Sequence, residues 1–207
     1  MQCILSALKA ESDPLVNYFQ LKRHSSFQFP VFVNNDLYLI GIGIGKAKVQ
    51  ERIYSFLETA SDDFIQFINI GIAGGNPKST KIGGSYLLNK IKDETTGSTY
   101  YPDILIKHNF EEISLVTVES VISDGEGVYK GLVDMEASEI FKICSSLVPA
   151  HRLAFLKIVS DYMNIEFKEI MAQPISKLIS HQLDSIESFL SQFERIFNEE
   201  APMFGDD

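Results

Sequence analysis

The 207-residue sequence is short of several things that would mark it as a particular kind of protein. Its two cysteines, Cys3 and Cys144, lie far apart inside apolar runs, which is neither a disulfide framework nor zinc-ligand spacing; both are expected as buried thiols. No apolar run approaches the ~20 residues that a helix needs to span a bilayer. A secretory signal would need a basic start, a long apolar run and a small-residue cleavage site, whereas the first run stops at Leu8 and Glu11 follows at once. A cytoplasmic protein is the expectation. Positive charge is scarce too: 18 basic against 28 acidic side chains leave a formal net charge of −10, a field that repels phosphate backbones and anionic headgroups. Nucleic acid and membrane surfaces are therefore not expected partners. The histidines His24, His108, His151 and His181 have no mutual spacing that suggests a metal or a nucleophile relay, and no motif demands a metal or an organic cofactor. Internal repeats, low-complexity tracts and linkers are lacking as well.

What is present suits one domain. Hydrophobic residues make up 45% of the chain, enough apolar surface to offset the conformational entropy of ordering it, and one core can still grow at this length. The domain is expected over residues 1–197, with an acidic tail over 198–207. The run from Gln2 reads as a strand, and Ser12-Asp13-Pro14 as the signal that opens a helix. Runs over residues 29–33 and 37–44, separated by Asn34-Asn35-Asp36, read as a hairpin. Helical spacing follows over residues 46–60, then a buried strand over 64–70 that runs into Gly71-Ile72-Ala73-Gly74-Gly75, expected as a loop with unusual backbone angles. Strands are expected over 85–91, 113–122 and 153–159. A helix follows Asp134-Met135-Glu136 and stops near Pro149, and a single long amphipathic helix spans 175–197. Strands alternating with helices, plus a hairpin, give a three-layer α/β/α domain with a central mixed β-sheet.

In such sheets ligands gather beyond the carboxyl ends of strands, so the polar residues that follow apolar runs are the ones to inspect. These are Glu11, the glycine stretch 71–75, Met135-Glu136 and Ser160-Asp161. Each has a bland reading beside the chemical one: Glu11 and Glu136 suit first helical turns, where the macrodipole favours an anion, and Asp161 suits a turn cap. Gly41-Ile42-Gly43-Ile44-Gly45-Lys46 invites a phosphate-binding reading, but its glycine spacing fits neither a Walker loop nor a dinucleotide fingerprint. A tight strand-to-helix turn is the expected role.

Taken in order, Ala7-Leu8-Lys9-Ala10-Glu11, Gly43-Ile44-Gly45-Lys46, the stretch Asn69 to Gly75, Asp134-Met135-Glu136-Ala137 and Ile158-Val159-Ser160-Asp161 resemble the nucleoside phosphorylase superfamily. Within it they are most similar to the 5′-methylthioadenosine/S-adenosylhomocysteine nucleosidases. The likeness covers most of the chain; residues 93–131 match poorly. It implies a phosphorylase/hydrolase-like fold and hydrolysis of the N-glycosidic bond of a purine nucleoside by a homodimer. By the same resemblance Glu11 activates the attacking water, Glu136 accepts hydrogen bonds from the ribose hydroxyls with Met135 against the sugar, and Asp161 protonates N7 of the purine. Ser160 partners Asp161, and Ala73 and Gly74 border the substrate. Bond cleavage builds positive charge on the sugar and negative charge on the base, which a carboxylate and a proton donor counter. Asn69-Ile70 replaces the arginine that purine phosphorylases of this kind carry before the glycines, which favours water over phosphate as nucleophile. Lys46 and Lys157 stay open as anion ligands, Lys157 standing where the nucleosidases usually have an arginine. Ile72 stands where they have a small hydroxyl residue. The lid segment 121–131 is short, and Tyr129 within it is expected at the surface. Two readings compete with hydrolysis: a phosphate-dependent phosphorylase, and a non-catalytic nucleoside binder.

Overall fold

Two strands buried along their whole length organise the molecule. In the computed structural model, which describes residues 1–60, 65–125 and 127–200, these are β1 (Gln2–Ser6) and β10 (Leu153–Asp161). Both lie parallel to the longer β5 (Gln66–Gly75), β1 on one side and β10 on the other. A strand covered on both faces has no polar side to show, which is why the middle of β1 and most of β10 read as apolar runs, with Lys157 the interruption. Side chains alternate between the faces. Cys3, Leu5, Phe67 and Phe155 join one core cluster with Val49, Ile53 and Phe56 of α2 (Lys46–Leu57) and Ile140 and Phe141 of α3 (Ala137–Cys144). Ile4, Ile68, Ala154 and Leu156 join the other, with Leu15 of α1 (Lys9–Tyr18), Ile175 and Ile179 of α5 (Ile175–Ser180), and Ile186, Phe189 and Phe193 of α6 (Leu183–Glu200). The three expected layers follow from this two-sided burial. Both cysteines lie in the first cluster, and burial pushes the Cys144 thiol well above its ordinary value.

The sheet is mixed and curls on one side. Beyond β1 come β4 (Leu37–Gly41), parallel to it, then β3 (Val31–Asn34), antiparallel to β4, and β2 (Lys22–Arg23), antiparallel to β3. On the other side β10 pairs with β6 (Ser85–Asp93), β6 with β8 (Glu111–Thr117), β8 with β9 (Leu132–Asp134), and β9 returns to the end of β5. Five strands thus close into a ring, and the short β7 (Thr99–Tyr100) hangs on β6.

Several boundaries differ from expectation for physical reasons. Helix α1 begins at Lys9 rather than after Ser12, because Glu11 reaches back to the Leu8 N–H and caps the turn itself. Pro14 then sits inside the helix; having no N–H, it leaves the Ala10 carbonyl open, and the Ser176 hydroxyl of α5 donates to that carbonyl at 2.8 Å. The expected helix over 175–197 is two helices broken at His181-Gln182, where the Gln182 side chain accepts from Ser85 at the start of β6 and donates to the Gly83 carbonyl just before it. The last helix runs to Glu200, past the expected domain boundary; residues 201–207 of the expected tail lie outside the described residues, as does Phe64 at the head of the expected strand. A helix that the apolar pattern had not suggested, α4 (Phe167–Ala172), follows β10. Among the described residues no helix is long and apolar enough to cross a membrane.

Candidate active site

β1, β5 and β10 run parallel, so their carboxyl ends open on the same edge of the sheet, and a cleft lies there with about 660 Å³ between its walls and its open mouth. Glu11, Glu136 and Asp161, which come from three distant parts of the chain, all line it. Their exposures are 2%, 8% and 4%, so each carboxyl group has been taken almost wholly out of water.

Glu11 is held by four donors. Its Oε2 accepts from the Ser6 hydroxyl at 3.1 Å, the Ala7 N–H at 3.0 Å and the Leu8 N–H at 2.8 Å, while Oε1 accepts from the Ile72 N–H of β5 at 2.8 Å. Burial nevertheless raises its pKa above the ordinary value, against those hydrogen bonds and the nearby Lys157. With about two acceptor sites on each carboxylate oxygen, Oε2 is crowded by three donors and the capacity left for a ligand is on Oε1. The first-turn reading of Glu11 and the cleft reading both hold, since the helix start is what aims it. A close approach explains the glycine beside it: a Cβ on Gly71 would lie 2.8 Å from Glu11 Oε1. This corrects the expectation of a loop with unusual angles. Strand β5 continues through Gly75, and Gly71 and Gly74 serve to let Glu11, Met163 and Asp161 come near the backbone.

Asp161 owes its direction to a bulge. The pairing of β10 with β5 slips between Val159, opposite Ala73, and Asp161, opposite Gly74, so that Ser160 is the extra residue. The Ser160 hydroxyl donates to Asp161 Oδ2 at 2.7 Å, as expected of a local partner, and the Met163 N–H donates to Oδ1 at 2.8 Å. Met163 has a left-handed backbone, φ +59°, that closes this turn beside the site.

Glu136 is the N-cap residue of α3, and its Oε1 accepts the Gly45 N–H at 3.2 Å. Gly45 has φ +89°, so the Gly41 to Lys46 stretch is the tight turn that was expected, placed with its amide against Glu136. Burial and then Asp134 push the Glu136 carboxyl up to about 7, with Lys157 and the Gly45 amide opposing and Glu11 adding to the rise.

The structure does not place Lys157 in the cleft wall. Its side chain, 3% exposed, gives its ammonium to Asp134 Oδ2 at 2.9 Å. Burial lowers its pKa, but Asp134, Glu136 and Glu11 outweigh that and hold it above the ordinary value. In the structure its charge is thus met, behind the cleft wall, by Asp134. Lys46 is likewise engaged, by Asp93. Asn69 is turned away, donating to the Leu5 carbonyl, and Tyr129 donates to Glu94 and does not line the cleft.

Met135, Ala73, Gly74 and Ser160 line the cleft with Ile72. Asp134 also lines it, and the rest of the wall is apolar, with Ile44, Val121, Ile122 and Met163, and Phe167, Ile170 and Met171 of α4. Sequence reasoning missed α4, although Phe167, Ile170 and Met171 fall at helical spacing and Glu166 and Glu169 form a capping box. No lysine, arginine or histidine lines the cleft among the described residues, and these hold no cluster fit for a metal ion.

No family model matches the chain, and no curated protein matches it in sequence. Solved structures do. A 5′-methylthioadenosine/S-adenosylhomocysteine nucleosidase from S. pneumoniae, in complex with a transition-state inhibitor, superposes with a TM-score of 0.75 at 17% identity, covering 93% of this chain and 99% of its own. The 5′-methylthioadenosine nucleosidase of Arabidopsis thaliana gives 0.72 at 18% identity, with 95% of each chain covered. A variant nucleosidase of Chlamydia trachomatis bound to MTA gives 0.71 at 21%, covering 93% of this chain and 98% of its own. Over nearly its whole length, this chain therefore has the nucleoside phosphorylase/hydrolase fold seen in the methylthioadenosine/S-adenosylhomocysteine nucleosidases.

Proposed function

We propose that the cleft binds a purine nucleoside of the methylthioadenosine type and hydrolyses its N-glycosidic bond. The observation that carries this reading is the meeting of Glu11, Glu136 and Asp161 in one largely apolar cleft. In this mechanism Asp161 donates a proton to the departing purine, Glu136 accepts from the ribose hydroxyls while Met135 packs on the sugar, and Glu11 Oε1 draws the proton from the attacking water. Buried carboxylates around the sugar favour the positive charge that develops there as the bond stretches. The apolar wall of Phe167, Ile170 and Met171 supports a substrate with an apolar 5′ substituent such as a thioether. A homodimer belongs to the same reading and is checked by sedimentation.

The lining also supports water over phosphate. A phosphate needs cationic donors, whereas Lys46 and Lys157 are paired with Asp93 and Asp134, and the described walls offer acidic side chains without a basic one. One observation favours a binder without turnover: Ile72 presents an aliphatic side chain next to Glu11, where a hydroxyl would have helped to hold the water.

Incubating the protein with methylthioadenosine or inosine, with and without phosphate, and measuring free base separates these readings. Base release without phosphate is the expected result, reduced at least ~100-fold in Asp161→Asn, the usual scale for losing a general acid. Release only with phosphate establishes the phosphorylase. No release, with a thermal shift on nucleoside addition, establishes the binder.

A further inference from the structure

The turn from Gly41 to Lys46 grips Glu136 twice. Directly, the Gly45 N–H donates to Glu136 Oε1. Indirectly, the next residue, Lys46, places its ammonium 2.7 Å from Asp93 Oδ2, and the same oxygen accepts the Ser138 hydroxyl at 2.7 Å. Ser138 lies two residues beyond Glu136 in α3. Following the bonds gives a closed circuit: Glu136 to Gly45, along the chain to Lys46, across to Asp93, across to Ser138, and along the chain back to Glu136. Asp93 ends β6, and its Oδ1 accepts the Thr96 N–H at 2.9 Å, so the anchor is fixed to the sheet.

The circuit has a task because little else restrains the carboxyl group of Glu136. The first amides of α3 point elsewhere: the Ala137 N–H goes to Asp134 and the Ser138 N–H to Thr117. A single N–H at 3.2 Å is at the long end of the hydrogen-bond range; Asp134 and Glu11 repel the carboxylate, and Lys157, whose ammonium is bonded to Asp134, attracts it through space without fixing its direction. Holding it at a fixed place requires that the Gly45 amide itself be fixed, and Gly45 sits in a glycine-rich turn whose neighbouring anchor is the Lys46 ion pair.

We propose that Lys46 and Asp93, neither of which lines the cleft, are positioning residues that hold Glu136 in register with the sugar hydroxyls, the Ser138 hydroxyl completing the tie. This rests on the reading of Glu136 as the ribose acceptor. A group that positions Glu136 matters only to substrates that have hydroxyls for it to accept from, whereas a group that merely supports the fold matters to all substrates alike.

The test compares methylthioadenosine with its 2′,3′-dideoxy counterpart in wild type, Lys46→Met, Lys46→Arg and Ser138→Ala. Lys46→Met is expected to raise KM for methylthioadenosine by roughly 10-fold with kcat within about 3-fold, the pattern of lost ground-state binding. For the dideoxy compound the same variant and wild type should agree within about 2-fold. Lys46→Arg, which keeps the charge, should recover most of the loss. Ser138→Ala, which removes one hydroxyl and keeps the ion pair, should show the same substrate dependence at roughly 3-fold, and it serves if Lys46→Met does not fold. Equal effects on both compounds, or none on either, overturn the inference while leaving the nucleosidase reading in place. Failure of the wild type to release base from either compound overturns that reading, and the inference with it.

Discussion

Replacing Glu136 by glutamine should make the unliganded protein more stable at alkaline pH and, on the proposed function, worse at binding a nucleoside. Glu136 has an ordinary pKa of 4.5 and is pushed to about 7 in the folded state, first by burial and then by Asp134. The folded state therefore holds a proton that the unfolded chain has already released, and stability falls as pH rises from near 4.5 to near 7. At about 1.4 kcal/mol per pH unit, the full gap costs roughly 3 kcal/mol once pH is well above 7. Glutamine keeps the size of the side chain and an oxygen for the Gly45 N–H, but it cannot ionise. In a domain of this length a kcal/mol moves the melting temperature by ~2–4 °C, so Glu136→Gln should melt roughly 6–12 °C above wild type at pH 8.5. Near pH 5 the advantage should shrink to below ~1 kcal/mol, because the folded wild type is then protonated at this site and the unfolded chain only partly ionised. Paired thermal melts at the two pH values measure the difference directly, and titration of the groups that do not interact with Glu136 cancels. An equal gap at both pH values, or a variant less stable at pH 8.5, would show that Glu136 ionises as an ordinary carboxyl group and that the reasoning is wrong.

Gly71→Ala should lower base release by at least ~10-fold while far-ultraviolet circular dichroism stays unchanged, because the new methyl group would sit 2.8 Å from Glu11 Oε1 and push it from its place. Lys157→Met leaves Asp134 buried without its counter-charge and should cost about 3–5 kcal/mol in urea denaturation; a loss below ~1 kcal/mol would show that the ion pair is not sustained in solution. Ser160→Ala removes the 2.7 Å donor to Asp161 and, at ~1 kcal/mol for such a bond, should slow turnover about 5-fold in the steady state, well short of the loss in Asp161→Asn.

The parts of the candidate cleft that were legible in the sequence are those tied to strand ends. Glu11, the glycine stretch and Ser160-Asp161 each follow an apolar run, and a parallel sheet brings such positions to one edge. What stayed hidden depended on pairing between distant segments. Nothing in the run from Leu153 to Asp161 announces a bulge at Ser160, which exists only relative to the register of β5. The glycines at 71 and 74 look like a turn signal in one dimension, and only the position of Glu11 and Met163 shows that they make room instead. Lys157 looked available for an anion because its partner, Asp134, reaches it only in the folded chain. The break at His181-Gln182 was hidden by an apolar period that continues across it, through Ile179 and Ile186 into the same cluster. Closure of the ring by β9 could not be anticipated from a three-residue strand.

That ring has a bearing on solubility. A curled sheet whose strands pair back on one another presents few unpaired backbone groups to a passing chain, and the described sheet ends on its other side in β2, two residues long, which are the exposed Lys22 and Arg23. So short and charged a border is a poor template for recruiting a further strand. At high concentration the protein should resist growth of intermolecular β-structure, and shortening the ring, for instance by deleting β9, should be the change that opens the way to fibres.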